Sequence, residues 1–375
     1  MTGKHRWQPA MFWSSLKNDR LINFNLLVQV GLCAILILGI LILWIWEPFK
    51  PRAFPTPHPP YPPSLVIGDI EWDFDGVVRL APGSDLWPVT WSTDDHIYTS
   101  WGDGGGFSGT NLSGRVSLGF GRIEGQPENL IGVNIWGGKN ALTPATFEGK
   151  VAGLVSIKGI LYAWLGTETG RKLIWSEDYA YSWQAAFWEF SRDTFVPFTI
   201  LNFGKDYAGA RDGYVYNYGH AWGESKDVYL VRVAKEKMNE QAAYEFFGGL
   251  RSTGDPVWTA NPVERKPVFS DPSGTDHNIT PTVTYNPGIG RYLLSASWGG
   301  PQRLGIFDAP EPWGPWATVV YDNNWGGYRG REALLYSFPT KWISEDGMTM
   351  WMIFSSTGKL DSFNLIRATL VPASE

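Results

Sequence analysis

At 375 residues with a formal net charge of −6, the chain has room for one large domain or two ordinary ones. It lacks the basic surplus that would hold nucleic acid or an anionic lipid surface by charge. Its 21 Trp, 16 Tyr, 20 Phe and 43 Gly suit short aromatic strands joined by tight turns, and aromatic faces also suit sugar rings. The single cysteine, Cys33, excludes an intrachain disulfide and a cysteine-built zinc site.

Residues 1–25 form a stub too short for a catalytic domain. Residues 26–46, LLVQVGLCAILILGILILWIW, have the length of a bilayer-spanning helix, with Gln29 as the polar exception and Trp44 and Trp46 at the headgroup level. A cleaved leader would have a shorter apolar run followed by small residues. Here the run continues into EPFKPRAFPTPHPPYPP, so a single uncleaved transmembrane anchor is predicted. Lys4, Arg6, Lys17 and Arg20 precede the helix, against Lys50 and Arg52 after it, which predicts a cytoplasmic N-terminus with the remainder outside the cytoplasm. Residues 47–64 are proline-rich and predict a stiff, extended linker.

The remainder, residues 65–375, contains a repeat. DDHIYTSWGDGGG (94–106), KGILYAWLGTETG (158–170), RDGYVYNYGHAWG (211–223), GIGRYLLSASWGG (288–300) and DGMTMWMIFSSTG (346–358) each open on a turn, continue as an aromatic strand and close on a Gly-containing turn. A further strand follows each one, and an apolar strand such as WPVTW, VAGLVSI, PTVTYNP or LLYSFPTKWI precedes most of them. Three antiparallel strands recurring five times predict an all-β, five-bladed β-propeller, preceded by the transmembrane helix and linker. A β-sandwich with long loops is the alternative fold, but it does not account for five copies. AKEKMNEQAAYEFF (234–247) is helix-like in composition and reads as a loop between strands. SLVIGDIEWDF (64–74) is expected to close the ring as the outer strand of the last blade, hiding an exposed sheet edge.

The residues ahead of each innermost strand should converge at one mouth of the ring; they are read as GSDLW (83–87), FEGK (147–150), GKDY (204–207), TDHN (275–278) and GYRGRE (327–332). Polar groups converging in an apolar scaffold define the candidate site. WGDGGGFSG (101–109) is followed by no Lys-Ser/Thr pair and reads as a flexible loop over the mouth rather than a phosphate loop, with Asp103 a site candidate. SEDYAYSW (176–183) approximates a structural turn of sialidase-type blades, with Ala180 where that turn has Gly.

GSDLWPVTWSTDDHIYTSWGDGGGF, DGYVYNYG, YEFFGGL, YNPGIGRYLL, APEPWGPW and KWISEDGMTMW together resemble a bacterial family of glycoside-hydrolase-like five-bladed propellers long catalogued as a domain of unknown function. The architecture is similar to arabinanase and fructosidase propellers, so the resemblance implies action on an arabinan-type polysaccharide. Hydrolysis needs two carboxyl groups across the glycosidic bond. Asp85, entering the innermost strand of the first blade, is the candidate base or nucleophile, and the resemblance supports that position. Asp206 is the candidate acid, although such propellers more often carry Glu there. Glu148 is placed to raise the acid's pKa through like charge. For each carboxylate the competing reading is a turn cap or a solvated charge.

Lys150, Arg211, His277 and Arg331 are candidate donors to sugar hydroxyls. His277 is equally suited to cap a strand or to ligate a channel cation such as calcium; no other cofactor is expected. Trp87, Trp101 and Trp325 are candidate stacking platforms, with core packing as the competing role. Three functions compete: a membrane-anchored glycoside hydrolase, a non-catalytic propeller binding a glycan or protein of the cell envelope, and a structural envelope protein. A carboxylate pair at the mouth separates the first from the others.

Overall fold

The computed structural model describes residues 58–221, 226–272, 280–297, 303–323, 325–327, 332–357 and 361–374. The predicted stub, the membrane segment and the linker as far as residue 57 lie outside the described residues; among those described, no helix is long and apolar enough to cross a membrane.

Two short strands come first, β1 (Ile67–Trp72) and β2 (Val78–Leu80). Blade 1 is β3 (Asp85–Trp91), β4 (Ile97–Gly102), β5 (Leu118–Glu124) and β6 (Ile131–Trp136). Blade 2 is β7 (Val151–Ile157), β8 (Ile160–Gly166), β9 (Gly170–Ser176) and β10 (Gln184–Ser191). Blade 3 is β11 (Val196–Ile200), β12 (Tyr214–His220), β13 (Asp227–Ala234), β14 (Glu245–Leu250) and β15 (Pro256–Thr259), with β16 (Pro267–Ser270) also pairing β13. Blade 4 is β17 (Thr280–Asn286), β18 (Arg291–Ser297), β19 (Leu304–Ala309) and β20 (Ala317–Asp322). Blade 5 is β21 (Glu332–Ser337), β22 (Thr349–Thr357) and β23 (Phe363–Pro372). Every blade is an antiparallel meander, and β3, β7, β11, β17 and β21 meet neighbour to neighbour around the axis, with β21 returning to β3. The fold is a five-bladed β-propeller.

The five repeated segments carry the second strand of each blade: β4, β8, β12, β18 and β22. These strands have both faces covered by neighbouring blades, so they read as continuous apolar runs rather than alternating ones. The apolar cores lie between blades. Tyr98, Phe120 and Trp136 of blade 1 share one cluster with Val151, Leu161 and Ile174 of blade 2. Met350, Phe354 and Ile366 of blade 5 share another with Leu293 and Ile306 of blade 4.

Ring closure follows the expected route. β1 pairs antiparallel with β23, from Ile67 opposite Pro372 to Trp72 opposite Ala368, and covers what would be a bare outer edge. The chain just ahead of β1 is also docked. Tyr61 packs its ring 5.1 Å from Phe269 and 5.9 Å from Phe307, its hydroxyl accepts from Ser270 N at 2.8 Å, and Pro63 bridges to Thr318 of β20. The end of the predicted linker is therefore part of the propeller surface.

Two local expectations are corrected. The innermost strand of blade 3 is β11, so GKDY follows that strand instead of preceding it. The glycine-rich loop after β4 is packed, not flexible. Asn134 donates through Nδ2 to the carbonyls of Gly105, Phe107 and Lys139, it accepts from Phe107 N, and the Phe107 ring is buried. The SEDYAYSW turn is structural, as read: Ser176 Oγ donates to Asp178 Oδ1 at 2.8 Å and accepts from Ala180 N at 2.9 Å.

Candidate active site at the axial mouth

All innermost strands run in one sense, so their first residues gather at a single mouth and their hairpins at the far end. Asp85 opens β3, and Lys150 directly precedes β7. Both side chains cross Gly102 at the end of β4, where a Cβ would lie 2.7 Å from Asp85 Oδ1 and 2.8 Å from Lys150 Cδ. Only glycine permits that approach. A bulge between Leu86 and Val89, with Leu86 at φ 84° and Trp87 at φ 50°, turns the start of β3. It sends Trp87 into the blade core and leaves Asp85 on the cavity wall.

That cavity occupies about 190 Å³ on the axis and is lined by residues of all five innermost strands, among them Asp85, Val151, Phe198, Thr282 and Ser337. Its floor is Asn202, which accepts from Thr90 Oγ1 at 2.7 Å and donates to the carbonyls of Leu154 at 3.0 Å and Ile200 at 3.1 Å. A second groove of about 530 Å³ on the rim is lined by Asp103, Arg115, Phe147 and Glu148. The axial cavity is smaller than the roughly 300–1,000 Å³ of a drug-sized pocket, so it suits one ring or substituent, with the rim left for a longer chain.

The charges at the mouth are unevenly answered. Asp103 lies 2.8 Å from Lys150 Nζ and 3.1 Å from Arg115 Nη2, the former an ion pair without hydrogen-bond geometry. Asp85 Oδ1 is buried with no hydrogen-bond partner among the described residues. Burial pushes its carboxyl up to about 7, reinforced by Asp361 and Asp103 and only partly opposed by Lys150 and Arg115.

Two further groups were not foreseen from the sequence. Arg171, the second residue of β9, reaches over the Phe198 ring at 5.5 Å, and its Nε and Nη1 are buried without a partner among the described residues. Burial lowers it to about 10, which still leaves it charged at neutral pH. His220 closes β12 opposite Val196, 5% exposed, with its ring 6.3 Å from Phe198. Burial, then the Arg171 charge, lowers it to about 4, so the imidazole is neutral. Arg171 lies inside an ordinary third strand and His220 inside a repeat, so nothing local in the sequence marks either.

The other candidates are distributed as follows. Glu148 is exposed on the rim. Asp206 is at the far end, where Oδ1 accepts from Ser156 Oγ at 2.7 Å and from Gly159 N at 3.0 Å, capping the β7–β8 hairpin. The ring therefore does not bring Asp206 to Asp85. Arg211 is also at the far end, clipping blade 3 to blade 4 through Glu311 at 3.1 Å and Pro310 O at 3.0 Å. Trp87, Trp101 and Trp325 are 0%, 0% and 2% exposed and present no face to a ligand; each is held in aromatic contacts of a blade core. His277 and Arg331 lie outside the described residues. Among the described residues, no group of three or more His, Cys, Asp or Glu is placed to hold a metal ion.

Comparison with solved structures finds the same architecture at low identity. A Bacteroides ovatus protein described provisionally as a hydrolase is 13% identical, with 78% of this chain and 87% of that chain covered at a TM-score of 0.52. An endo-arabinase from Bacteroides thetaiotaomicron is 12% identical, covering 78% and 94% at a TM-score of 0.44. A GH43_1 enzyme from Xanthomonas citri is 12% identical, covering 80% and 91% at 0.43. No curated protein matches the chain. Residues 162–334, from β8 into β21, match the model of the family described as a domain of unknown function, DUF4185, as the resemblance implied, and the fold is the five-bladed propeller it implied.

Proposed function

We propose that the chain is a glycoside-hydrolase-type protein acting on a polysaccharide at the axial mouth, with Asp85 as the proton donor to the glycosidic oxygen. The observation that carries this reading is the Asp85 carboxyl itself: it faces a cavity shared by all five blades, its buried Oδ1 has no hydrogen-bond partner among the described residues, and it is raised to about 7. A carboxyl with that affinity is protonated in a large fraction of molecules at neutral pH, as a general acid requires. Glu148, exposed on the same rim, is the second carboxylate, and Asp103 orients Lys150 beside Asp85. Residues 26–46 anchor the protein in a membrane with the propeller outside the cytoplasm, which protease accessibility of the propeller in intact cells checks.

Turnover of arabinans and related polysaccharides by the full chain is the test. Activity that falls at least a hundredfold in Asp85→Asn and declines with the deprotonation of a group near pH 7 supports the reading; activity unchanged in that variant overturns it. The position of Asp206 favours a second reading, a non-catalytic propeller that binds a glycan or protein of the envelope, because one of the two carboxylates expected to flank the bond is a hairpin cap. Binding without turnover in any polysaccharide would select it.

A further inference from the structure

We infer that the axial cavity takes the carboxylate of an acidic sugar, a uronic-acid residue of the glycan, against the guanidinium of Arg171. The inference rests on the glycan reading of the mouth and narrows it to a substrate class. Arg171 lines the cavity, and Nε and Nη1 are enclosed with no acceptor among the described residues. Two acidic groups described at the mouth are not free to answer it. Asp103 answers Arg115 and Lys150, while burial raises Asp85 to about 7 and so favours its neutral form. Leaving a buried cation without an anion is costly, so such a group commonly meets its partner in a ligand.

The surroundings also define the shape of that anion. A guanidinium offers parallel N–H groups that match the two oxygens of a carboxylate, a geometry an ammonium does not supply. Phe198 lies beneath the guanidinium and gives an apolar floor for the ring bearing the carboxylate. A Cβ on Gly166 would lie 3.3 Å from Lys150 O and 3.8 Å from Arg171 Nη1, so the backbone of one cation runs beside the side chain of the other. A neutral sugar would fill the space but leave Arg171 unanswered.

Calorimetric titration of the full chain with trigalacturonate, a glucuronate-bearing xylo-oligosaccharide and their neutral counterparts tests this. Wild type is expected to bind at least one acidic oligomer tenfold or more tighter than its neutral counterpart. Arg171→Met should abolish that preference, while Arg171→Lys should restore part of it. In the absence of sugar, Arg171→Met should melt no lower than wild type, since it removes a buried charge with no acceptor among the described residues; a large loss of melting temperature would reveal a protein carboxylate already paired to Arg171 and overturn the inference. Equal binding of acidic and neutral oligomers sinks the uronate assignment alone. Preference for a sulfated oligosaccharide over both replaces carboxylate recognition with general anion binding and overturns it too. Absence of binding to every oligomer sinks the glycan reading with it.

Discussion

Replacing Asp85 by Asn should remove activity and raise stability at the same time, in a pH-dependent way. Asn has nearly the same size and cannot ionise. In the folded protein the Asp85 carboxyl titrates at about 7, whereas in an unfolded chain it titrates near 4. About three units at roughly 1.4 kcal/mol each give a ceiling of about 4 kcal/mol. The folded value is the raised one, so wild type is most stable relative to the variant below pH 4. It then loses ground as pH rises through 4 to 7, and the difference levels off above. Urea denaturation of both full chains in the same detergent, from pH 4 to pH 9, reads this directly. The two should coincide near pH 4, with the variant ahead by up to about 4 kcal/mol at pH 8. Water entering the mouth lowers the size of the effect without changing its sign. A difference independent of pH, or a wild type more stable than the variant at pH 8, would refute the account of a desolvated carboxyl.

Three other outcomes follow from the packing. Tyr61→Ala should cost about 2–4 kcal/mol, because it strips the aromatic contacts with Phe269 and Phe307 and the acceptor of Ser270 N; thermal melting unchanged from wild type would mean that the segment is not docked in solution. Asn202→Ala should cost about 2–4 kcal/mol in a denaturant titration, since it leaves the Thr90 hydroxyl and the carbonyls of Leu154 and Ile200 without their bonds; a loss under about 0.5 kcal/mol would rule out the floor as described. Asp95, held down to about 2 by Lys205 first and then by Lys341 and Trp91, contributes stability present above pH 4 and lost as pH falls toward 2. Its side chain is 57% exposed, so solvent screening limits Asp95→Asn to under about 1 kcal/mol, detectable as a wild-type advantage at pH 5 that vanishes near pH 2.

The blades were legible because the second strand of each is covered on both faces and flanked by turns, so DDHIYTSWG and GIGRYLLSASW carry the same pattern despite different residues. Ring closure by β1 was legible for a related reason, since an apolar strand ahead of the first full blade has one vacant edge to fill. Blade 3 hid its innermost strand. Only residues 192–195 separate β10 from β11, while residues 201–213 separate β11 from β12, so the hairpin that marks other blades is stretched beyond recognition. That displacement alone sent Asp206 to the wrong end of the ring. The tryptophans misled differently: Trp101 has the composition of a sugar platform, but a Cβ on Gly119 would lie 2.2 Å from its indole, and such intimacy with a glycine of the next strand belongs to a core. Arg171 and His220 meet only through tertiary structure, across the boundary between blades 2 and 3.

Burial disfavours the charged form of both Asp85 and Arg171, with different outcomes at neutral pH. It raises the Asp85 carboxyl to about 7, so that about half the molecules carry the proton at neutral pH, and it lowers Arg171 only to about 10, which leaves that guanidinium charged and without an acceptor among the described residues. In an open groove water would relieve both, lowering the carboxyl toward 4 and solvating the guanidinium. The axial position prevents this because five strand ends surround a small cavity whose floor is sealed by Asn202. On the proposed reading the consequence is a coupling between substrate and proton donor. A carboxylate arriving at Arg171 neutralises the cation and places a second negative charge in the cavity that Asp85 also lines. Added negative charge in a poorly hydrated space raises the affinity of a carboxyl for its proton. An acidic sugar would therefore strengthen the protonated state of the acid that acts on it, whereas a neutral sugar of the same shape would leave Asp85 to lose its proton near pH 7.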